Sequence, residues 1–170
     1  EESELDAFTD YCFYHFRINK TNLLERELAI TSFDENSIEF NVLEMATMAH
    51  YTVFHVKEVF EGKGLLVLDL LYQKELFVID IGFSQSVKKG LVLAGHLIPF
   101  KKFYITSGAV LPLPYELLRN GKIPMILSKF IDEESDNFLS KAKETSFATQ
   151  IMRTILRYDG EKMEVMYNEV

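Results

Sequence analysis

Two aspartates, Asp69 and Asp80, are the residues whose types and spacing best suit chemistry. They lie on either side of Gln73-Lys74, in segments whose composition predicts two strands joined by a tight turn. If Gln73-Lys74 is a two-residue hairpin loop, Asp69 lies opposite Val78, and the two acids are diagonal neighbours roughly 7–8 Å apart. Such a pair can bind a divalent cation or do acid–base work. The alternative is that both acids face water at strand ends, and no third ligand is evident.

The histidines and the single cysteine do not form a recognisable metal or thiol site. No two of His15, His50, His55 and His96 have the spacing that places metal ligands on one helix face. His96 interrupts an otherwise apolar strand, so it either faces a partner or is a satisfied, half-buried residue. Cys12 falls on the apolar stripe of the first predicted helix, which indicates a small buried hydrophobe. A thiolate paired with His15 is disfavoured by the surrounding acids. We therefore expect no bound metal and no disulfide.

Motifs that carry known chemistries are missing from the sequence. It contains no phosphate-binding Gly-Lys-Ser/Thr loop, dinucleotide glycine fingerprint, nucleophile elbow or metalloprotease His-Glu pair. The turn Gly62-Lys63-Gly64 is not a phosphate loop, because no helix is predicted to follow it. We expect no cofactor and assign no catalytic residue.

The charge distribution excludes some classes of partner. The net charge is −8, and residues 1–60 carry 12 acids and 4 bases. Phosphate backbones are repelled by an acidic chain, so nucleic-acid binding is not expected. The longest apolar runs fall short of the ~20 residues that span a bilayer, so no membrane segment is expected.

The elements that must position these residues begin with helices. Apolar residues at helical spacing (Leu5, Phe8, Cys12 and Phe16) predict a first helix over about 3–17 with those side chains inward. Asn22 and Glu25 form a capping-box pattern that starts a second helix ending near Ile30. A third helix over about 35–49 is predicted from the stripe Ile38, Val42, Met45, Ala46 and Ala49.

The pattern then becomes that of short strands with short connections. Six strands are predicted, over 51–60, 65–71, 76–81, 91–98, 103–106 and 109–113. We expect Pro99 to end the fourth, 84–90 to be a polar loop, and Ser107-Gly108 to be the turn of a hairpin between the last two. Connections this short favour antiparallel neighbours, and so many short strands favour a small barrel or strongly twisted sheet.

Helical patterning returns after Pro114. Tyr115 to Leu118 predict a short helix ended by Asn120-Gly121. A long helix is predicted over about 135–157, with Phe138, Ala142, Phe147, Ile151 and Ile155 inward, stopped by Asp159-Gly160. Alternation over 163–167 predicts a last strand. The sequence thus predicts one α+β domain over 1–170, in which a helical lead-in (1–50) and a helical C-terminal part (114–170) flank an antiparallel β-unit (51–113).

The order of features between Tyr51 and Pro114 resembles a bacterial domain of unassigned function, often found in proteins that carry a SEC-C zinc motif. The matching runs are Phe54-His55-Val56, Glu61-Gly62-Lys63-Gly64-Leu65, Leu68-Asp69-Leu70-Leu71, Phe77-Val78-Ile79-Asp80, Gly90 to Pro99 and Ser107-Gly108, preceded by the helical lead-in Phe8 to Leu24. The resemblance implies a bacterial, cytoplasmic, modular protein. The zinc motif needs several cysteines and this chain has one, so no zinc ligands and no catalytic residues carry over.

The functional expectation is a non-enzymatic binding or protein-interaction module, cut from the interior of a longer protein and binding a protein or small ligand. It depends on the missing catalytic motifs and on aromatic residues of the sheet that can be exposed, among them Phe77, Phe103 and Tyr104. Asp69, Asp80, His96 and Tyr104 are the candidate ligand-binding residues. The alternative is a metal-dependent enzyme or accessory domain that uses the Asp69/Asp80 pair, and a third interpretation is a structural or oligomerisation domain.

Overall fold

A computed structural model describes residues 2–131 and 138–168, with side chains described for 5–131 and 138–158. Six strands form one sheet: β1 His50–Phe60, β2 Gly64–Asp69, β3 Lys74–Val78, β4 Val92–Phe100, β5 Phe103–Thr106 and β6 Leu111–Pro112. The strand order is β1-β2-β3-β5-β4, and β4 also pairs with β1, which closes these five strands into a barrel. The sixth strand, β6, pairs with β4 at Leu93 and Ala94. The predicted α+β class and the small barrel are confirmed.

The expectation of a wholly antiparallel sheet is correct only in part. Five pairings are antiparallel, but β3 and β5 pair in parallel through Val78 and Tyr104. A closed ring of five strands cannot alternate direction all the way round, so one neighbouring pair must be parallel. The helix α4 (Ile81–Ser86) occupies part of the predicted polar loop and carries the chain away from β3.

The predicted register between β2 and β3 is wrong. Asp69 lies opposite Lys74, and Leu65 lies opposite Val78, so the connection contains four residues, 70–73. The backbone N–H groups of Leu71 and Tyr72 donate to Asp69, which ends β2 and holds this longer turn. The observed pairing of Asp69 is shifted by four residues from the predicted one. Because side chains alternate between the two faces of a sheet with a period of two, this even shift leaves Asp69 on the same sheet face as its predicted partner. Asp80 lies outside β3 altogether.

Two further predictions about the strands are wrong. Pro99 lies inside β4, because the pairing of β4 with β1 ends at Leu97 and the missing N–H of Pro99 is not needed on that side. Ser107-Gly108 is not a hairpin turn, since β6 pairs with β4 and not with β5. After Thr106 the chain continues along the same edge of β4, because β1 occupies the other edge at Leu93 and Ala94.

The helical lead-in comprises α1 Glu2–Tyr14, α2 Leu23–Ile30 and α3 Ile38–Thr47. The capping box at α2 is confirmed by reciprocal hydrogen bonds between Asn22 and Glu25. The predicted inward face of α1 is wrong: the side chains of Leu5 and Phe8 are each 64 % exposed, whereas Asp10 is buried. In α3 the predicted stripe is exposed at Ile38 and Val42 and is covered only towards its C-terminal end.

The C-terminal part contains α5 Tyr115–Arg119, α6 Lys122–Ser128 and α7 Lys141–Asn168. The short helix α5 is confirmed, and α6 was not predicted. The chain is helical through Asp159-Gly160, so the predicted last strand is wrong; a single glycine costs a helix only about 1 kcal/mol. Phe147, Ile151 and Ile155 are buried as predicted, but Phe138 and Ala142 are exposed. The predicted start at Ser135 lies outside the described residues.

Two apolar cores hold the strands and helices in place. All five barrel strands contribute to the interior core, which includes Phe54, Val67, Val78, Leu97 and the half-buried Tyr104. The second core lies between the outer faces of β1 and β4 and helices α1, α5, α6 and α7. Within the described ranges, none of the helices combines the length and apolar character that crossing a bilayer requires.

A substitution at Gly64 tests how closely the backbones of neighbouring barrel strands approach each other. A Cβ at Gly64 would lie 2.2 Å from the carbonyl oxygen of Val78, whereas a Cβ at Gly82 in α4 meets nothing within 4 Å. We expect Gly64→Ala to lower the free energy of unfolding by about 1–3 kcal/mol through overpacking. Gly82→Ala is expected to be neutral or stabilising, because alanine favours helix. Urea titrations of both variants would check this, and equal effects would contradict the close approach.

Candidate functional site

The barrel interior becomes polar at the N-terminal end of β1. His50 and Thr52 share the sheet face of Phe54 in the interior core, because alternate residues of a strand point the same way. Asp69 follows Val67 on β2 in the same way. All three polar side chains are buried, with Asp69 and Thr52 at 0 % exposure. This end of the barrel therefore holds a carboxylate and an imidazole without contact with bulk water.

Asp69 is held by four donors. Its Oδ1 accepts from the Thr52 hydroxyl at 2.6 Å and from the N–H groups of Leu71 and Tyr72 at 2.9 and 3.0 Å. Its Oδ2 has one longer contact, 3.4 Å from Nε2 of His50. The two oxygens thus differ: one is saturated, and the other has a single weak partner.

His50 has one nitrogen engaged and one without a hydrogen-bond partner in the described part of the chain. Its Nε2 faces Asp69, while Nδ1 is buried and makes no hydrogen bond. Donation from Nε2–H to the carboxylate leaves Nδ1 as a bare acceptor. The imidazole lies among three aromatic rings, Tyr72, Tyr104 and Phe138, whose centroids are 5.3, 5.9 and 4.7 Å away. We call His50, Asp69 and these three rings the barrel-end site.

The electrostatics of the barrel-end site are negative. Burial raises the pKa of Tyr72, and the carboxylates of Glu144 and Asp69 raise it further, against a hydrogen bond from the Leu139 N–H. Burial and the charge of Asp69 raise the pKa of Tyr104 as well. Both phenols therefore stay protonated at neutral pH, and the field around them favours positive charge.

A second polar chain lies outside the barrel, between α1, β4 and α7. Asp10 Oδ2 lies 2.5 Å from His96 Nδ1, and His96 Nε2 lies 3.0 Å from His15 Nε2. His15 Nδ1 lies 3.2 Å from the Thr145 hydroxyl, and the Ser107 hydroxyl donates to Asp10 at 3.1 Å. We call this set the buried polar chain. It connects helix α1 to the barrel through hydrogen bonds, beside the apolar contacts that Ala7 and Tyr11 make in the second core.

Donors and acceptors match along the buried polar chain when its imidazoles are neutral. With both imidazoles neutral, His96 donates to Asp10, His15 donates to His96, and Thr145 donates to His15. Burial, reinforced by His96, Lys141 and Arg17, lowers the pKa of His15 to about 3, so His15 itself stays neutral.

The four predicted ligand-binding residues do not form one site. Asp69 and Tyr104 belong to the barrel-end site, and both lie close to His50. Asp80 caps α4 by accepting from the Phe83 N–H at 2.9 Å, and it also accepts from the Thr106 hydroxyl at 2.8 Å. His96 belongs to the buried polar chain and is fully buried, more than the half-burial expected for a satisfied histidine. No cluster of three His, Cys, Asp or Glu side chains suited to a metal ion occurs among the described residues.

Sequence reasoning missed the partners of these residues. His50 is an even number of residues from Phe54 and Val56 on the same strand, so the three side chains point to the same sheet face. This alternation could have predicted that His50 lies inside the barrel. Asp10 and His15 are five residues apart, and only the inverted orientation of α1 brings both to the buried side. Cys12 is half-buried on the same helix, and both ring nitrogens of His15 contact groups other than its thiol.

The lead-in carries most of the large exposed apolar side chains. Eleven of the eighteen found among the described side chains lie between Leu5 and Met48. Those on or just after α1 are Leu5, Phe8, Phe13 and Phe16, and those on α2 and α3 are Leu23, Ile30, Ile38 and Val42. We call these eight side chains the lead-in apolar face.

Comparisons with known proteins identify a family without identifying an activity. No curated protein and no solved structure matches the chain. One family model matches residues 1–143, and its description, a family of unknown function, connects the chain neither to proteins with a SEC-C motif nor to bacteria. Because the match covers most of the sequence, including the lead-in and the whole barrel, the chain belongs to this family of unknown function, DUF7986.

Proposed function

We propose that this domain is a non-enzymatic protein-binding module that docks a partner on the lead-in apolar face. The observation that carries the proposal is the inverted polarity of α1. Asp10 on this helix and His15 directly after it face the barrel, whereas Leu5 and Phe8 are exposed to solvent. Large apolar side chains that are exposed close together favour an interaction site.

The charge of the lead-in supports a partner of positive charge. Residues 1–60 carry 12 acids and 4 bases. Exposed carboxylates accompany the apolar residues on all three helices, at Asp6, Glu27 and Glu39, and two more lie between α2 and α3, at Asp34 and Glu35. The complementary partner is an amphipathic helix of another protein, apolar on one face and flanked by lysine or arginine. A second copy of this chain, an anionic membrane or a nucleic acid would bring like charge to the same surface.

The alternative of a metal-dependent enzyme rests on an Asp69/Asp80 pair, and no observation favours it. Each carboxylate is used by its own donors, Asp69 at the turn after β2 and Asp80 at the start of α4. A bacterial origin, a cytoplasmic location and a link to SEC-C proteins remain predictions from the sequence.

Peptide binding tests the proposal. The probe is a fluorescent helical peptide with leucines on one face and lysines along its flanks, measured by anisotropy against the 170-residue chain. We expect the peptide to bind to the wild-type chain. The double variant Phe8→Ser/Phe16→Ser should bind it at least ~10-fold more weakly, since each substitution removes a phenyl ring that the bound peptide would bury. The matched control is Tyr115→Ser/Met125→Ser, which removes two exposed apolar residues outside the lead-in.

Two comparisons decide what occupies the face. A peptide with glutamates in place of the lysines should bind more weakly at low salt, and the difference should shrink in high salt as charge is screened. Equal binding of both peptides, or equal weakening by the control variant, would contradict a basic helical partner. If light scattering shows a dimer that the Phe8→Ser/Phe16→Ser variant abolishes, the occupant is a second copy and the proposed partner is wrong.

A further inference from the structure

We propose that the buried polar chain is an acid-sensitive latch, which releases helix α1 from the barrel when both of its imidazoles become charged. In the released state the barrel stays folded and α1 no longer packs on it. The latch concerns how α1 is held, so it does not depend on the partner proposed for the lead-in apolar face.

The first feature that supports the latch is the way in which the two imidazoles face each other. Nε2 of His15 and Nε2 of His96 lie 3.0 Å apart, so one hydrogen at most fits between them. An imidazolium ion carries a hydrogen on both nitrogens, and the docked helix therefore cannot hold both rings as cations. Once α1 leaves, the rings separate and each can take up a proton. Acid favours release, because the released form can bind at least one more proton than the docked form.

The second feature is the small apolar contact that holds α1. The helix contributes the buried Ala7 and the half-buried Tyr11 to the second core, while Leu5 and Phe8 are exposed. The remaining attachment depends on the polar chain, through Asp10 and His15 and through Tyr14, whose ring stacks on His96 at 4.1 Å. Loss of these contacts therefore weakens docking more than it would for a helix with a broad buried apolar face.

The third feature is the independence of the interior core from α1. All the members of that core that the described residues show fall within residues 54–110. Release of α1 uncovers His96 and part of the second core, but it removes no side chain from the barrel interior. We therefore expect release to be a local opening, which precedes unfolding of the barrel.

Charged groups around the two rings make a second positive charge more unfavourable than the first. Ionisable side chains face the rings or pair beside them on α1, after α1, on β1 and on α7: Asp10, Tyr11, Tyr14, Arg17, Tyr51, Lys141 and Glu144. Asp10 balances one positive charge. Burial, and after it the charges of His96, Lys141 and Arg17, lower the pKa of His15 to about 3. Burial and the Asp10 carboxylate raise the pKa of Tyr14 and Tyr51, so both phenols stay neutral.

The experiment is a pH titration of the ¹⁵N-labelled 170-residue chain, followed through its amide ¹H–¹⁵N spectrum. We expect the amides of α1 to lose their native shifts as the pH falls from 6.5 towards about 4, while the amides of β2 and β3 keep theirs. The ratio of released to docked chains should rise up to about 10-fold for each pH unit, which is the slope for uptake of one proton.

Three variants assign the transition to the latch. His15→Gln can still donate to His96 but does not titrate, so α1 should stay docked to a pH at least about 1 unit lower. Lys141→Gln removes a cation that opposes protonation of His15, and it should lower the transition by roughly 0.2–0.7 pH unit, as a partly exposed charge does. His55→Gln is the matched control, because His55 lies half-buried on β1 outside the polar chain, and it should titrate as the wild type does.

The latch is overturned if the amides of α1 and of the barrel change together in one transition, or if α1 stays docked down to pH ~4. It is also overturned if His15→Gln and Lys141→Gln both titrate as the wild type does. If His15→Gln undocks α1 already at pH 7, the wild type and Lys141→Gln decide. No peptide is present in these titrations, so their failure leaves the proposed docking function untouched.

Discussion

Replacing Asp69 by alanine is expected to lower the free energy of unfolding by about 3–5 kcal/mol, the largest effect of any single substitution considered for this chain. The variant leaves the Thr52 hydroxyl, two backbone N–H groups and His50 without their acceptor in a site closed to water. Each buried donor without a partner costs about 1–3 kcal/mol. Urea titration at neutral pH gives the measurement.

Asp80→Ala is the natural control, because the sequence suggested that the two acids form a pair. Asp80 is a helix N-cap, and loss of such a cap costs about 1 kcal/mol. Asp69→Asn should fall between the two, since the amide oxygen can still accept from the turn. Similar losses for Asp69→Ala and Asp80→Ala would show that Asp69 does not hold the end of the barrel as described.

Acid is expected to destabilise the domain strongly through His15. Its pKa is about 3 in the folded protein, and the ordinary value of 6.5 applies when the chain is unfolded. Between these values the unfolded chain binds the proton and the folded chain does not, so stability is complete above pH 6.5 and falls as the pH decreases towards 3. The slope is about 1.4 kcal/mol per pH unit, so roughly 2–3 kcal/mol is lost between pH 6.5 and 4.5.

His15→Gln tests this assignment. The glutamine amide can still donate towards His96 but does not titrate, so the stability of the variant should depend less on pH over pH 6.5–4.5. The groups around His15 are His96 on β4, Lys141 on α7, Arg17 after α1 and Asp10 on α1 itself. Ser107→Ala, which removes a neutral hydroxyl from the same chain, is the control and should lower stability without flattening the slope. Parallel curves for wild type and His15→Gln would assign the acid sensitivity to other residues.

Local patterns predicted the elements well where local physics decides them. The capping box of Asn22 and Glu25 was identifiable because both hydrogen bonds join residues three apart. The strand over 103–106 and the helix at Tyr115 were likewise placed by neighbouring residues. Local patterns could not predict the parallel pairing of β3 with β5, because that pairing follows from the closure of five strands into a barrel.

The candidate sites were harder to predict, because their members are far apart in the chain. Asp10 and His96 are separated by 86 positions, and Thr145 is 130 from His15. The apolar stripe of α1 was assigned inward on the usual rule that hydrophobic faces are buried. That rule failed at Leu5 and Phe8, and functional surfaces are where such failures are expected.

The parallel pair of strands also determines where the barrel is weakest. Between β3 and β5 the register consists of the single pair Val78 and Tyr104, and Ile79 donates to the Tyr104 carbonyl. Every other neighbouring pair within the barrel is joined by at least four paired residues. Local opening is easiest where the fewest backbone hydrogen bonds must break, so hydrogen exchange in the barrel should be fastest along this seam. Tyr104 lies on this seam and also contacts His50, so a breathing motion that parts β3 from β5 would expose the His50 imidazole to solvent.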